Sequence, residues 1–292
     1  MDDQQRRHDY SLRMADKGWV FVTGASTGIG RASVEKLVAD GWQVIAGVRR
    51  DGDQPPTSTA HVLVDVSDTE QVAIATKQVL ELCDGRLAGL VNNAGISVAG
   101  PFEGLSLDDW RRQFDVNLFG QIDVTQRLLP AVLAASGRIV NIGSIGGRMA
   151  SPFLGPYNAS KFAVRGWTDS LRAELAPHGV RAVLVEPGSI ATEIWRKGNE
   201  QADDVLDRLN PEQQQRYARQ AAGAKKAAAM VERNAIPAAK VGAAVAHALT
   251  SRKPKPHYVV GVDARFQAFL ATLPASASDK VVGALMRPPK DA

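Results

Sequence analysis

The chain has 292 residues, 45% hydrophobic and 23% charged, enough to bury the core of one large α/β domain. Its 35 basic and 31 acidic residues leave a formal charge of +4, spread along the sequence without long runs, which argues against a nucleic-acid or membrane-surface role. A single cysteine, Cys83, excludes an internal disulfide and a cysteine-rich metal site, and no run approaches the roughly 18 to 20 apolar residues that span a bilayer.

Residues 1–18, "MDDQQRRHDYSLRMADKG", lack the apolar core of a signal peptide. They predict a mobile polar leader on a cytoplasmic protein, before a single domain over residues 19–265 and a tail with short helices over 266–292. "WVFVTG" reads as the first strand, and Gly24, Gly28 and Gly30 separate it from a helix expected over residues 31–39. Glycines there permit a tight turn and close backbone approach, and a helix N-terminus offers N–H groups and a positive dipole end to a pyrophosphate. The second strand, "WQVIAGV", runs into Arg49 and Arg50. "HVLVD" is the third, ending at Asp65, and a helix is expected over residues 69–82 with Cys83 packed behind it.

"LAGLVNN" is the fourth strand, followed by one long helix over 107–135 that contains Asn117. "GRIVNIGS" is the fifth, ending at Ser144. The next helix, over 157–176, places Tyr157 and Lys161 at i and i+4 on one face, where an ammonium favours phenolate. "VRAVLVEPG" is the sixth strand. Residues 192–236 then carry no strand signal and read as two helices divided at Asn210-Pro211. A helix over 238–249 and the strand "HYVVGV" close the pattern. Apolar runs separated by helices predict a doubly wound parallel seven-stranded sheet with a helical insertion after the sixth strand. Ligands bind beyond the carboxyl ends of such strands, so an insertion there covers one.

"TGASTGIG" with its GxxxGxG spacing, Asp65, "NNAG" from Asn92 to Gly95, Ser144 followed by "YNASK" from Tyr157 to Lys161, and "EPG" from Glu186 to Gly188 occur in that order. Together they resemble the short-chain dehydrogenase/reductase family, and the stretches "SIGGRMASPFLGPYNASKFAVRGWTDSLRAEL" and "EPGSIATEIW" are similar to its retinol, 17β-hydroxysteroid and 3-hydroxybutyrate dehydrogenase branch. The resemblance covers about residues 19–262 and implies a Rossmann-type fold. It also implies a tetrad. Tyr157 is the acid/base, Lys161 lowers its pKa and bonds the nicotinamide ribose, Ser144 holds the substrate oxygen, and Asn117 organises a helix and a water leading to the lysine.

The cofactor is then expected along Gly24, Ser26, Thr27, Gly28, Ile29 and Gly30. Asp65 and Val66 lie at the adenine, the backbone of Asn93, Ala94 and Gly95 at its ribose, and Pro187, Gly188, Ile190 and Thr192 at the nicotinamide. Asn92 is expected to tie the sheet together. Where an acid would bind the ribose 2′-hydroxyl of NAD stands Val48, and Arg49 follows, with Arg50 second, so NADP(H) is expected ahead of NAD(H). Ile96, Gly146, Phe153, Leu154, Ile194 and Trp195 form a largely apolar substrate set. The resulting expectation is an oxidoreductase interconverting an apolar secondary alcohol and a ketone, with no nucleic-acid partner and no stable membrane insertion, assembled as a homodimer or homotetramer. A polar keto or sugar substrate, or a non-catalytic dinucleotide sensor, are the rival readings.

Overall fold

Seven short runs rich in Val, Ile and Leu form β1 (Trp19–Val22), β2 (Gln43–Val48), β3 (Ala60–Leu63), β4 (Leu87–Asn92), β5 (Arg138–Ile142), β6 (Arg181–Pro187) and β7 (His257–Val260). They pair in the order β3-β2-β1-β4-β5-β6-β7, every pair parallel. The reversal between β1 and β4 opens the crevice in which such sheets bind ligands. The computed structural model describes residues 17–285, so most of the expected leader and the end of the expected tail lie outside the described residues.

The helices are α1 (Gly28–Ala39), α2 (Thr69–Leu82), α3 (Leu107–Phe114), α4 (Gly120–Ala134), α5 (Gly155–Leu175), α6 (Glu193–Asp207), α7 (Pro211–Arg233), α8 (Ala239–Thr250), α9 (Val262–Leu270) and α10 (Ala275–Leu285). Successive strand residues point to opposite faces, so the sheet has two cores. On one side Val34 and Leu37 of α1 and Val241, Val245 and Leu249 of α8 pack on Val20, Val22 and Val44. On the other, Val72 and Val79 of α2 and Val124 and Leu128 of α4 pack on Phe21, Ile45 and Leu90. Cys83 is buried in this second core, and burial pushes its thiol pKa up. As expected, Asn92 ties the sheet: its amide donates to Asn141 of β5 (2.8 Å) and Thr125 of α4 (2.9 Å).

Three boundaries differ from the sequence reading. The first helix begins at Gly28, three residues early, because the glycine turn itself supplies its first turn. The single helix expected over 107–135 is interrupted by a π turn, Asp115–Phe119, between α3 and α4. The division expected at residue 265 falls inside α9. The insertion divides where expected, because Asn210 and Gln213 form a reciprocal capping box with Pro211 at the first helical position. Among the described residues no helix is long and apolar enough to cross a membrane.

Candidate active site

The glycine turn joins β1 to α1 where the sheet order reverses. Gly30 is enforced by contact: a Cβ there would lie 2.1 Å from the Gly24 carbonyl oxygen. Gly28 has φ of +55°, and a Cβ on it would meet the Thr192 methyl at 3.0 Å. The turn is thereby brought against the residue that opens α6, across the mouth of the crevice. Thr27 caps α1 without a side-chain hydrogen bond, and the first turn holds no acid. The helix end therefore keeps N–H groups and positive potential for an anion, so the residues present fit a pyrophosphate. Ser26, Ile29 and exposed Thr27 belong to this turn.

Asn93 locks the turn from β4, its amide donating to the carbonyls of Thr23 (3.0 Å) and Gly24 (2.9 Å). The backbone N–H groups of Asn93 and Ala94 donate to the Thr23 hydroxyl. Those two groups, expected toward a ribose, are thus already engaged. Asp65, half-buried after β3, accepts from the Ser67 hydroxyl at 2.6 Å, and Val66 beside it is buried. Arg49 and Arg50 leave the end of β2 exposed, without ion-pair partners among the described residues. Pro187, Gly188 and Ile190 are buried at the end of β6. Ile190 bridges to Ile236, but the bonds run through Ser189 and Ala191, leaving the backbone groups of Ile190 itself out of that pairing.

Ser144, Tyr157 and Lys161 converge beyond β5, each about 95% buried. Burial pushes the Tyr157 phenol above its ordinary pKa, and its hydrogen bond with Ser144 pulls it part of the way back. Burial lowers Lys161 to about 8. Its Nζ donates to the Ile142 carbonyl at 2.8 Å and stands 5.9 Å from the Tyr157 ring centre. Gly146 completes the group: its N–H donates to Ser144 Oγ (3.0 Å), and a Cβ on it would sit 3.3 Å from the Tyr157 ring.

Asn117 reaches this group only indirectly. Its Oδ1 accepts from Ile96 N–H (2.8 Å), and its Nδ2 donates to Ile96 O (3.1 Å) and Ser160 Oγ (3.3 Å). Ser160 in turn donates to the Tyr157 carbonyl at 2.8 Å. The π turn places Asn117 for this double grip on the segment after β4, and Gly95 abuts its Oδ1. Sequence reasoning missed Gln113, whose side chain holds the same segment through Val98 N–H (2.6 Å) and Ile96 O (3.0 Å). Its signal was available, since it lies four residues before Asn117 on one helix face.

The insertion folds over this site. The Trp195 ring packs edge-on against Tyr157, 5.7 Å between centroids, and Tyr217 of α7 meets Phe153 at 6.2 Å. Phe153 has a φ of +67°, unusual for a bulky residue, and its carbonyl accepts from Gly100 N–H at 2.8 Å. Glu103 accepts from Arg216 at 2.8 Å, and its hydrogen bond with Gln213, then those with Arg216 and Tyr217, hold its carboxyl below the usual range. Ile96, Leu154 and Ile194 are half-buried around this enclosure. Tyr217 and Glu103 were missed, since no local pattern ties an insertion residue to a loop more than 100 positions away. Also missed was a cluster behind the site, in which Arg148 Nε donates to buried Glu186 at 2.7 Å and His257 spans Glu186 and Asp169.

Comparison with known proteins agrees with this geometry. The pattern of short chain dehydrogenases matches residues 18–203. The chain is 35% identical over 276 residues to an NADPH-dependent 3-dehydrocapnine reductase of Ornithobacterium rhinotracheale, covering 90% of this chain and 95% of that one. It is 38% identical over 272 residues to human retinol dehydrogenase 16, covering 89% and 85%. A short chain dehydrogenase from Burkholderia cenocepacia, solved in complex with NADP, superposes with a TM-score of 0.69 at 28% identity, covering 93% and 98%. With its parallel sheet, glycine turn and buried serine, tyrosine and lysine, the chain belongs to the short-chain dehydrogenase/reductase family of oxidoreductases, on its retinol dehydrogenase-like side.

Proposed function

We propose that the protein is an NADP(H)-dependent oxidoreductase interconverting an apolar secondary alcohol and its ketone. The observation that carries this reading is the buried Tyr157 phenol, hydrogen-bonded to Ser144 and roofed by Trp195. The residues at the glycine turn and at Arg49 suit a dinucleotide with a 2′-phosphate, which supplies or accepts the hydride when bound. Arg49 offers the phosphate a charge-assisted, bidentate partner, and Val48 brings no opposing carboxylate. NAD(H) lacks that anchor and is the weaker ligand.

Tyr157, kept protonated at neutral pH by its burial, donates its proton to the carbonyl oxygen as hydride reaches the carbonyl carbon. Ser144 donates a second hydrogen bond to that oxygen as its negative charge grows. Lys161 places a positive charge beside the phenolate that results. Trp195 and Phe153, with Ile96, Leu154 and Ile194, exclude water and favour a lipid-, retinoid- or steroid-like body over a sugar. The 35%-identical relative named for NADPH dependence supports the cofactor choice, and the one named for retinol supports an apolar body for the substrate. The enzyme is further read as a cytoplasmic homodimer or homotetramer assembled through α4 and α5, where Leu133 and Phe162 are exposed.

The decisive experiment is Tyr157→Phe, followed by NADPH absorbance on retinoid, steroid and aliphatic ketones. Turnover should drop by a factor of roughly 10² to 10⁴ while NADPH binding, read by fluorescence, stays within about twofold. A variant that turns over like the parent would overturn the assignment.

A further inference from the structure

The turn that follows Ser144 is pliant by composition. Ile145–Gly147 is a single 3₁₀ turn, and two of its three residues are glycines. Crowding requires both: a Cβ on Gly146 would sit 2.8 Å from the Asn158 amide, and one on Gly147 would meet the Lys161 carbonyl oxygen at 2.6 Å. Glycines that let the turn approach the helix of Tyr157 also free its backbone, so it needs holding from outside. On one side Asn158 donates to the Gly146 carbonyl at 3.0 Å. On the other, Arg148 ends the turn and donates to Glu186 through two nitrogens, Nε to one carboxylate oxygen at 2.7 Å and Nη2 to the second.

A two-point bond between guanidinium and carboxylate fixes angle as well as distance. Glu186 is 0% exposed on β6 and is followed directly by Pro187 and Gly188, the expected nicotinamide wall. The oxygen that accepts from Nη2 also meets His257 of β7 at 3.0 Å. The other ring nitrogen of His257 meets Asp169 at 2.9 Å, on α5, the helix of Tyr157 and Lys161. One cluster thereby ties together the turn of the serine, the strand of the wall and the helix of the phenol. Burial by itself would raise the Glu186 carboxyl, but hydrogen bonds from Arg148 and His257 hold it below the usual carboxylate range. An ion pair so buried adds little to stability over apolar residues of similar volume, because desolvation offsets most of its attraction. What it supplies beyond them is direction. The adjoining chemistry needs that, since misplacing a reacting group by about 1 Å costs about a hundredfold in rate.

We infer that Arg148 and Glu186 are positioning residues for the reaction, a clamp that sets the Ser144 hydroxyl against the Tyr157 phenol and against the wall at Pro187 and Gly188. The inference rests on the reading of the protein as an oxidoreductase working through Tyr157.

Arg148→Met with Glu186→Leu tests the clamp, since both charges leave together and no unpaired ion stays in the interior. The double variant should melt within about 4 °C of the parent. With NADPH and the retinoid, steroid and aliphatic ketones its kcat should fall about tenfold to a hundredfold, while the KM for NADPH stays within about twofold. Arg148→Lys keeps the charge but not the two-point geometry, so its rate should lie between the two. A readout free of turnover uses the protein without cofactor, its tyrosines isotopically labelled at Cζ. By NMR the Tyr157 resonance, identified by its loss in Tyr157→Phe, should move in the double variant toward its position in Ser144→Ala, where the hydrogen bond to Ser144 is gone.

An unmoved resonance, or a folded double variant with the parent's kcat, overturns the inference. A rate loss matched by an equal rise in the KM for NADPH overturns it too, and assigns the pair to cofactor binding. If the double variant fails to fold, Arg148→Lys decides: a lowered kcat at an unchanged melting temperature supports the clamp, and the parent's rate and resonance overturn it. If the parent itself reduces no ketone of the panel, the substrate reading fails instead, and the resonance alone decides the clamp.

Discussion

Lys161 sets a cation in a place where only a twentieth of its surface meets water, and one carbonyl, that of Ile142, receives it. Burial brings its pKa to about 8 from 10.5. Between those values the unfolded chain holds the proton that the folded chain has released, so this group makes stability rise with pH across that window. Below about pH 8 both states are protonated and the burial cost, about 3 kcal/mol at most, is fully present. Urea midpoints at about pH 7 and about pH 10 should show this rise in the parent and a flatter response in Lys161→Met; equal slopes would refute the buried ammonium. Arg49 makes a second claim at the same scale. Arg49→Ala should raise the KM for NADPH by about tenfold or more and that for NADH by less than about twofold, and equal effects would remove it from the phosphate. Both residues were legible in the sequence, through the i, i+4 spacing with Tyr157 and through the end of the second strand. The depth at which Tyr157 is buried was not, because burial is a property of the whole fold that a spacing does not carry.

At the scale of elements, the seven strands were readable because a buried parallel strand is a short apolar run with punctuation on each side. The π turn was not. It arises where Asn117 grips Ile96 and where Gly120 packs so tightly that a Cβ would lie 2.4 Å from the Val66 carbonyl oxygen, contacts made with other strands' ends. Gly30 tests the turn in the same way. Gly30→Ala must displace the Gly24 carbonyl, so it should destabilise the fold by more than about 2 kcal/mol, read by denaturation, and a near-neutral result would contradict the packing. The insertion was legible as two helices, but its position over the site was not. Glu103 fastens α7 to the segment after β4 through Arg216, while Val205 and Leu209 of the α6 end press on Gly100 and Gly104. Glu103→Ala should therefore speed amide exchange in α7 and raise the substrate KM by about threefold or more, with the rate of a saturated enzyme changed less. Exchange in α7 identical to the parent would show that the ion pair fastens nothing.

Among the described residues, the exposed apolar side chains of α4 and α5 and those of α9 lie in different chemical surroundings. Along α4 and α5, Leu133 and Phe162 are exposed, and so is Phe119 at the π turn before α4. Of the cations on these helices, Arg127 pairs with Asp123 and Arg172 with Asp169, while Arg165 has no ion pair among the described residues. Such a face, apolar with most of its cations paired, suits an identical copy. Around α9 an apolar stripe lies beside Lys240, Lys255 and Arg265, which have no ion-pair partner among the described residues, so the α4–α5 face is the better self-contact. The two faces can be separated by one measurement. Phe162→Asp would place an unpaired carboxylate opposite its own symmetry mate, so sedimentation velocity should show the assembly falling apart, by one halving of mass or more. Phe266→Ser with Phe269→Ser should leave the mass as it was. If the α9 variant dissociates and Phe162→Asp does not, the assignment of the faces is reversed, and the enzyme assembles through the edge of its sheet.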